Sequence, residues 1–317
     1  MMAKRRKKDK SSYIILLLVV LVFVLTILAT AIMDRITTRE SDTNTIQKNE
    51  ISVSNPEFSS ENLYSKYAVL FDLETWDMIF AKEYNVRMCP ASLTKIMTAV
   101  ILLEYSNDLE TAVTLEPGIF EALYEEGASM AGFLPGETVK EKDLLYGILL
   151  PSGAECCIGV ADYIAGSESN FVDLMNSKAQ ELGMKNTHFE NSTGLDADNH
   201  YSSVEDIAIL LRYALQYDAF REAFTTHSYY VQPTNMHSEG IMLYSRLFND
   251  LPDPTVKNGE IEGGKTGYTE AAGLCLASVA DINGKEYIFV SAGAEGNHDT
   301  QPFHILDAQY IYNSLSK

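Results

Sequence analysis

The order of apolar and polar positions divides the chain into distinct elements. Tyr67-Ala68-Val69-Leu70-Phe71-Asp72 is a short apolar run and predicts a β-strand. A polar break at Glu74-Thr75 separates it from a second run, Met78 to Ala81, so the pair predicts a hairpin. Pro90-Ala91-Ser92 opens a helix expected over Leu93 to Tyr105. Its later turns are apolar nearly all round (Ile96, Met97, Val100, Ile101, Leu102, Leu103), the mark of a central buried helix. Further helices are expected at Lys140 to Leu150, Glu155 to Ala165 and Asn170 to Leu182. Ser202-Ser203-Val204-Glu205 reads as a capping box that opens another helix, running to Tyr217. Near the end, Gly273 to Val279 and Tyr287 to Ser291 are expected strands, and Asn283-Gly284 between them is a strong hairpin signal. Pro302 opens a last helix to about Leu315. Strands at both ends, with helices between and after, predict an α/β fold of the α+β kind: an antiparallel sheet flanked by helices, with a helical subdomain.

The N-terminus follows different rules. Lys4, Arg5, Arg6, Lys7, Lys8 and Lys10 crowd the first ten residues, and Tyr13 to Met33 then runs without a charge. Fifteen positions of that run are Ile, Leu, Val or Phe, which at roughly −0.3 to −0.6 kcal/mol each favours membrane insertion. Its length suits the ~20 residues that cross a bilayer. Positive charge ahead of it puts the N-terminus in the cytoplasm and the rest outside. The competing reading is a cleaved signal peptide, because Ala29-Thr30-Ala31 resembles a cleavage site, but signal h-regions span only ~7–15 residues. The expected organisation is therefore a basic cytoplasmic tail (1–12), a transmembrane anchor (13–33), a polar stalk (34–62) and a folded domain (63–317).

Composition narrows the function. The 317 residues carry a formal net charge of −20, which argues against a nucleic-acid partner. At 46% hydrophobic and 21% charged, the chain can build a real core. Cys89, Cys156, Cys157 and Cys275 lie in apolar stretches without C-x-x-C spacing and read as buried thiols. His200 with Asp196 and Asp198 invites a metal-loop reading, but Tyr201 and Ile207 stand where an EF-hand needs Gly and Glu. No cofactor or metal is expected.

The chemistry is carried by three short segments. Ser92-Leu93-Thr94-Lys95 starts a helix, and i, i+3 spacing puts hydroxyl and amine on one face. Serine needs a base to become a nucleophile, and lysine serves when desolvation or a neighbouring cation keeps it partly neutral. Alone, this tetrad is also the pattern of a helix cap with a solvated lysine. Ser152-Gly153 follows an apolar helix, however, and Lys265-Thr266-Gly267 precedes the C-terminal hairpin on or beside an edge strand. Such a lysine and threonine can grip a carboxylate. S-x-x-K with a second serine motif and K-T-G is the signature set of penicillin-binding proteins and class A β-lactamases.

On these motifs the chain resembles the low-molecular-mass penicillin-binding proteins that act as D-alanyl-D-alanine carboxypeptidases. Leu134-Pro135-Gly136-Glu137, Asn191-Ser192-Thr193-Gly194-Leu195 and His200-Tyr201-Ser202 add to the resemblance. It implies a β-lactamase/transpeptidase-like fold and peptidoglycan stem peptides as substrate, with β-lactams as covalent inhibitors. It further implies Ser92 as nucleophile, Lys95 as base, Ser152 as proton relay, Lys265, Thr266 and Gly267 around the substrate carboxylate, and the Tyr268 N–H in the oxyanion hole. The sequence departs from the family where the second motif usually ends in Asn, since Ala154 stands there. The family's C-terminal β-domain and amphipathic helix have no counterpart before Lys317, so the N-terminal run is the expected anchor. Two alternatives stay open. A serine β-lactamase would need a deacylating carboxylate near Glu181 to Asn191, where the E-x-x-x-N spacing is absent. A weakly active wall-peptide-binding scaffold draws its support from Ala154.

Overall fold

The structure, a computed structural model, describes residues 59–315. The expected tail and membrane run, and the expected stalk up to residue 58, lie outside the described residues, among which no helix is long and apolar enough to cross a membrane.

A six-stranded antiparallel sheet organises the domain. Strands β1 (Tyr67–Asp72) and β2 (Met78–Lys82) form the first hairpin, as the apolar runs predict. Ala91–Thr94 is a 3-10 turn that leads into α1 (Lys95–Tyr105), so the predicted single helix is two elements. The helical part then follows, with β3 (Ala112–Thr114), α2 (Phe120–Glu125) and β4 (Thr138–Lys140) ahead of α3 (Glu141–Leu149), α4 (Ala154–Ala165) and α5 (Glu168–Glu181). Helix α6 (Val204–Ala214) is capped by Ser203, whose hydroxyl accepts from the Asp206 N–H. It stops at Ala214 rather than Tyr217, and α7 (Asp218–Thr225) begins after a turn. A small hairpin of β5 (Ser228–Val231) and β6 (Ile241–Tyr244) and the short helix α8 (Arg246–Asp250) return the chain to the sheet. Strands β7 (Thr255–Val256), β8 (Gly259–Thr269), β9 (Gly273–Ile282) and β10 (Lys285–Ala294) complete it in the order β2-β1-β10-β9-β8-β7, and α9 (Phe303–Ser314) closes the chain. Asn283 and Gly284 both take positive φ (58° and 76°), as a two-residue turn that follows strand twist requires.

Period-two alternation builds two cores, one on each face of the sheet. Val69, Phe71, Cys275, Ala277, Val279, Ile288 and Val290 face α1 and its neighbours. Ala68, Leu70, Leu276, Ala280 and Phe289 face the other way, onto Ile305, Ala308, Ile311 and Tyr312 of α9. Helix α1 lies inside the larger core, and every residue from Lys95 to Leu102 is buried. Burying Ile96, Met97, Val100 and Ile101 contributes about 1.5–3 kcal/mol per side chain. That gain offsets the penalty of holding the Lys95 amine away from water at the helix start.

Candidate active site

The site forms where the start of α1, the start of α4 and the edge of the sheet meet. Ser92 lies in the 3-10 turn after Ala91, whose φ of 46° is unusual for a residue with a Cβ. Such strain persists only where surrounding contacts over-determine it. Here the turn is wedged between two glycines. A Cβ on Gly267 would meet the Ser92 nitrogen at 3.1 Å, and one on Gly194 (φ 84°) would meet the Ala91 carbonyl oxygen at 1.9 Å. Gly194 therefore cannot carry a side chain while the loop keeps this approach.

Lys95 Nζ lies 3.2 Å from Ser92 Oγ and donates to the Thr193 carbonyl at 2.6 Å. The lysine is 2% exposed, and burial holds its pKa below the ordinary value, with Arg246 acting in the same direction. Thr193 is presented by a tight loop. Asn191 Oδ1 accepts from the Gly194 N–H (2.7 Å), Glu168 accepts from the Ser192 N–H and hydroxyl, and Thr98 donates to the Ser192 carbonyl. His200 ties the same loop to the Ser92 turn. Its Nδ1 accepts from the Glu190 N–H, so Nε2 carries the proton and donates to Thr94 Oγ1 at 2.8 Å. Burial pushes its pKa down to about 4, so the ring stays neutral. His200 is thus a structural tie to the S-x-x-K turn.

A second serine–lysine pair comes from distant parts of the sequence. Ser152 follows α3 and holds a φ of 70°, again in the left-handed region. Its hydroxyl accepts from Lys265 Nζ at 3.0 Å, and the same amine donates to the Thr266 carbonyl at 2.7 Å. Burial lowers the Lys265 pKa well below its usual value, and Lys95 and then Arg246 add to the shift. Because β7 pairs only with Gly259 and Glu260, β8 is an edge strand from Gly263 to Thr269. That leaves Thr266, Gly267 and Tyr268 on the wall of a cleft of about 490 Å³ with Ser92, Ser152, Arg246 and His298. Past Ser92 the cleft opens into a second hollow of about 940 Å³, lined by Lys95, Ala154, Thr193 and Gly194 among others. Thr269 Oγ1 donates to Asp196 at 2.8 Å, which joins the end of β8 to the Asn191–Leu195 loop.

The three segments singled out in the sequence therefore meet, but at different depths. Ser92, Thr266, Gly267 and Tyr268 line the cleft, whereas Lys265 is only 1% exposed beneath it. Ala154 is buried at the start of α4, with its N–H donating to the Ser129 carbonyl at 2.7 Å. Glu155 beside it accepts from the Ala131 and Gly132 N–H groups (2.7 and 2.9 Å) and fixes that stretch of the wall. Sequence reasoning gave no role to the Thr193 carbonyl, Glu155, Arg246 or His298. Of these, Thr193 carried a signal, since an Asn followed three residues later by Gly marks an Asx-type turn that aims carbonyls inward. Among the described residues no cluster could hold a metal ion.

Comparison with known proteins agrees with this geometry. The chain is 34% identical over 230 residues to D-alanyl-D-alanine carboxypeptidase DacF of Bacillus subtilis, covering 73% of this chain and 57% of that protein. It is 31% identical over 224 residues to DacA of Escherichia coli, covering 67% and 52%. The chain thus spans little more than half the length of these curated relatives. The crystal structure of the Streptomyces K15 DD-transpeptidase matches with a TM-score of 0.73 at 25% identity, over 81% of this chain and 98% of that one. The model of the D-alanyl-D-alanine carboxypeptidase family matches residues 49–296 and so runs through all three motifs. With the DD-peptidase fold shared as well, the chain belongs to that family.

Proposed function

We propose that the chain is a serine D-alanyl-D-alanine carboxypeptidase that removes the terminal D-Ala of peptidoglycan stem peptides, and that β-lactams acylate it at the same serine. The observation that carries this reading is the buried Lys95 amine, 3.2 Å from Ser92 Oγ and held below its ordinary pKa by burial. A neutral Lys95 takes the Ser92 proton as Oγ attacks the carbonyl carbon of the penultimate D-Ala. The Ser92 and Tyr268 N–H groups stabilise the oxyanion. The C–N bond then breaks, and the leaving amine takes a proton delivered through Ser152 from the lysine pair. Water cleaves the resulting ester, releases the shortened peptide and restores Ser92.

Glu155 Oε1 accepts from the Ala131 and Gly132 N–H groups while, among the described residues, its Oε2 has no hydrogen-bond partner, and Glu168 Oε1 accepts from the Ser192 N–H and hydroxyl. The domain is proposed to act outside the membrane, tethered by residues 13–33 with the N-terminus in the cytoplasm; the uncharged run after the basic cluster supports this. Incubating the protein with a pentapeptide ending in D-Ala-D-Ala should release D-Ala, and fluorescent penicillin should label Ser92. A folded Ser92→Ala variant that still took the label would sink the reading.

A further inference from the structure

Ala154 leaves the second motif without a polar side chain at its third position, but the residue bonded to it has one. The Ala154 N–H donates to the Ser129 carbonyl at 2.7 Å, which joins the start of α4 to the segment between α2 and β4. Glu155 fixes that segment further along, by accepting from the Ala131 and Gly132 N–H groups at 2.7 and 2.9 Å. The approach is close: a Cβ on Gly153 would meet the Ala131 Cβ at 2.7 Å. Ser129 is therefore held in place by bonds that do not use its side chain.

Four residues line both hollows: Ser92, Ser129, Tyr268 and His298. They mark the neck where the hollows meet, through which a chain attacked by Ser92 has to pass. Tyr268 and His298 come from the end of β8 and the β10–α9 loop, and their rings pack edge-on with centres 5.0 Å apart. Ser129 comes from the helical part of the domain. It is half-buried, and among the described residues its hydroxyl has no hydrogen-bond partner. Ala131 and Ala154 on the same wall offer no polar side chain, and the Lys95 amine is engaged by Ser92 Oγ and the Thr193 carbonyl.

We propose that the Ser129 hydroxyl takes over the substrate contact of the missing Asn, donating to the carbonyl oxygen of the amide on the N-terminal side of the penultimate D-Ala. This rests on the carboxypeptidase reading and adds a substrate-positioning residue to that same site. An Asn at 154 would reach the amide with its own side chain, whereas here the neighbour bonded to residue 154 does so. Holding that amide keeps the scissile carbonyl turned toward Ser92 Oγ.

The test uses benzylpenicillin, which carries an equivalent amide beside its reactive ring, and the parent aminopenicillanic acid, which has a free amine there. Acylation rates are taken on the alkaline plateau, where a change in the Lys95 pKa no longer affects them. In Ser129→Ala the ratio of benzylpenicillin to aminopenicillanic acid rates should fall about two- to tenfold, the weight of one neutral hydrogen bond. Adding Ala154→Asn to Ser129→Ala should restore the ratio, and the same change should raise it less when Ser129 is present. A ratio unchanged by Ser129→Ala would overturn the assignment, whether both rates fell together, as for a purely structural residue, or neither fell. An equal gain from Ala154→Asn in both backgrounds would overturn it too, because the two side chains would then hold different groups. If the wild type took neither compound at Ser92, the acyl-enzyme reading itself would fail, and this assignment with it.

Discussion

The two serine–lysine pairs have nearly the same contact and opposite origins. Lys95 reaches Ser92 at 3.2 Å from three residues away, and Lys265 reaches Ser152 at 3.0 Å across 113 residues. Each lysine also donates to one carbonyl, that of Thr193 or Thr266. Ser92 is half-buried on the cleft wall, whereas Ser152 is 2% exposed. In the proposed mechanism accessibility, rather than the serine–lysine contact, distinguishes the nucleophile Ser92 from the relay Ser152. The charge of Lys95 also lowers the Lys265 pKa, which makes a doubly protonated pair unfavourable.

The sharpest way to break this comparison is to delete each serine in turn. Ser92→Ala should abolish covalent labelling by fluorescent penicillin, because Ser152, the other cleft serine with a lysine at its hydroxyl, is only 2% exposed. Ser152→Ala should keep the label on Ser92 but slow its appearance by ~10²–10⁴-fold, the usual weight of a positioned proton donor or acceptor. Stopped-flow labelling of both variants checks the difference. Equal loss in the two would mean that the pairs form one inseparable unit.

Replacing the lysine of the distant pair separates stability from activity. Lys265 is charged in the unfolded chain below its ordinary 10.5 but resists charging when folded, so burial works against folding at neutral pH. As pH rises through the depressed folded value toward 10.5, the unfolded state binds more protons and this penalty fades. Lys265→Met should therefore raise the thermal midpoint by about 2–6 °C near pH 7, with the gain shrinking toward pH 10.5. Acylation should fall strongly in the same variant. A midpoint lowered at every pH would show that the bonds to Ser152 and Thr266 outweigh the buried charge.

The pH–rate profile probes how the pairs are tuned. As the proposed base Lys95 acts in its neutral form, so acylation should rise with pH along a limb displaced below the usual lysine range. Arg246 lowers both lysines by its charge, although burial is the larger cause. Arg246→Gln should accordingly move the limb to higher pH, by up to about one unit. A limb that stayed in place would assign the whole shift to burial.

The contrast between the pairs also explains what could be read from the chain. The Ser92–Lys95 pair is local, so helical spacing alone aligns its two groups. Core strands were legible for a similar reason, since Tyr67–Asp72 and the Asn283-Gly284 hairpin depend on neighbours within a few residues. The Ser152–Lys265 contact depends on the sheet edge meeting the start of α4 and was not legible in the chain; the pattern of a known family pointed to the two residues but not to their meeting. Arg246 had no pattern at all, because its place follows from α8 docking on Leu150 and Pro151. The small strands β3 to β6 were missed because they are three or four residues long and owe their pairing to surroundings rather than alternation.

The smallest expected effect concerns Ala154, where the family pattern has Asn. Ala154 lines the larger hollow together with Ser92 and Lys95, so a longer side chain there would project toward the base. In the present structure Lys95 receives its polar contacts from Ser92 Oγ and the Thr193 carbonyl, and the α4 side offers it none from residue 154. An Asn carbonyl accepting from Lys95 would favour the charged amine and raise its pKa, while the amide N–H₂ could hold the substrate's backbone. Ala154→Asn should therefore shift the pH limb upward yet raise the plateau rate on a D-Ala-D-Ala peptide by up to about tenfold. A gain of several thousandfold would support the wall-peptide-binding scaffold, in which the native Ala154 has nearly silenced the enzyme. No change in either limb or plateau would mean that the Thr193 carbonyl already does what the missing amide would do.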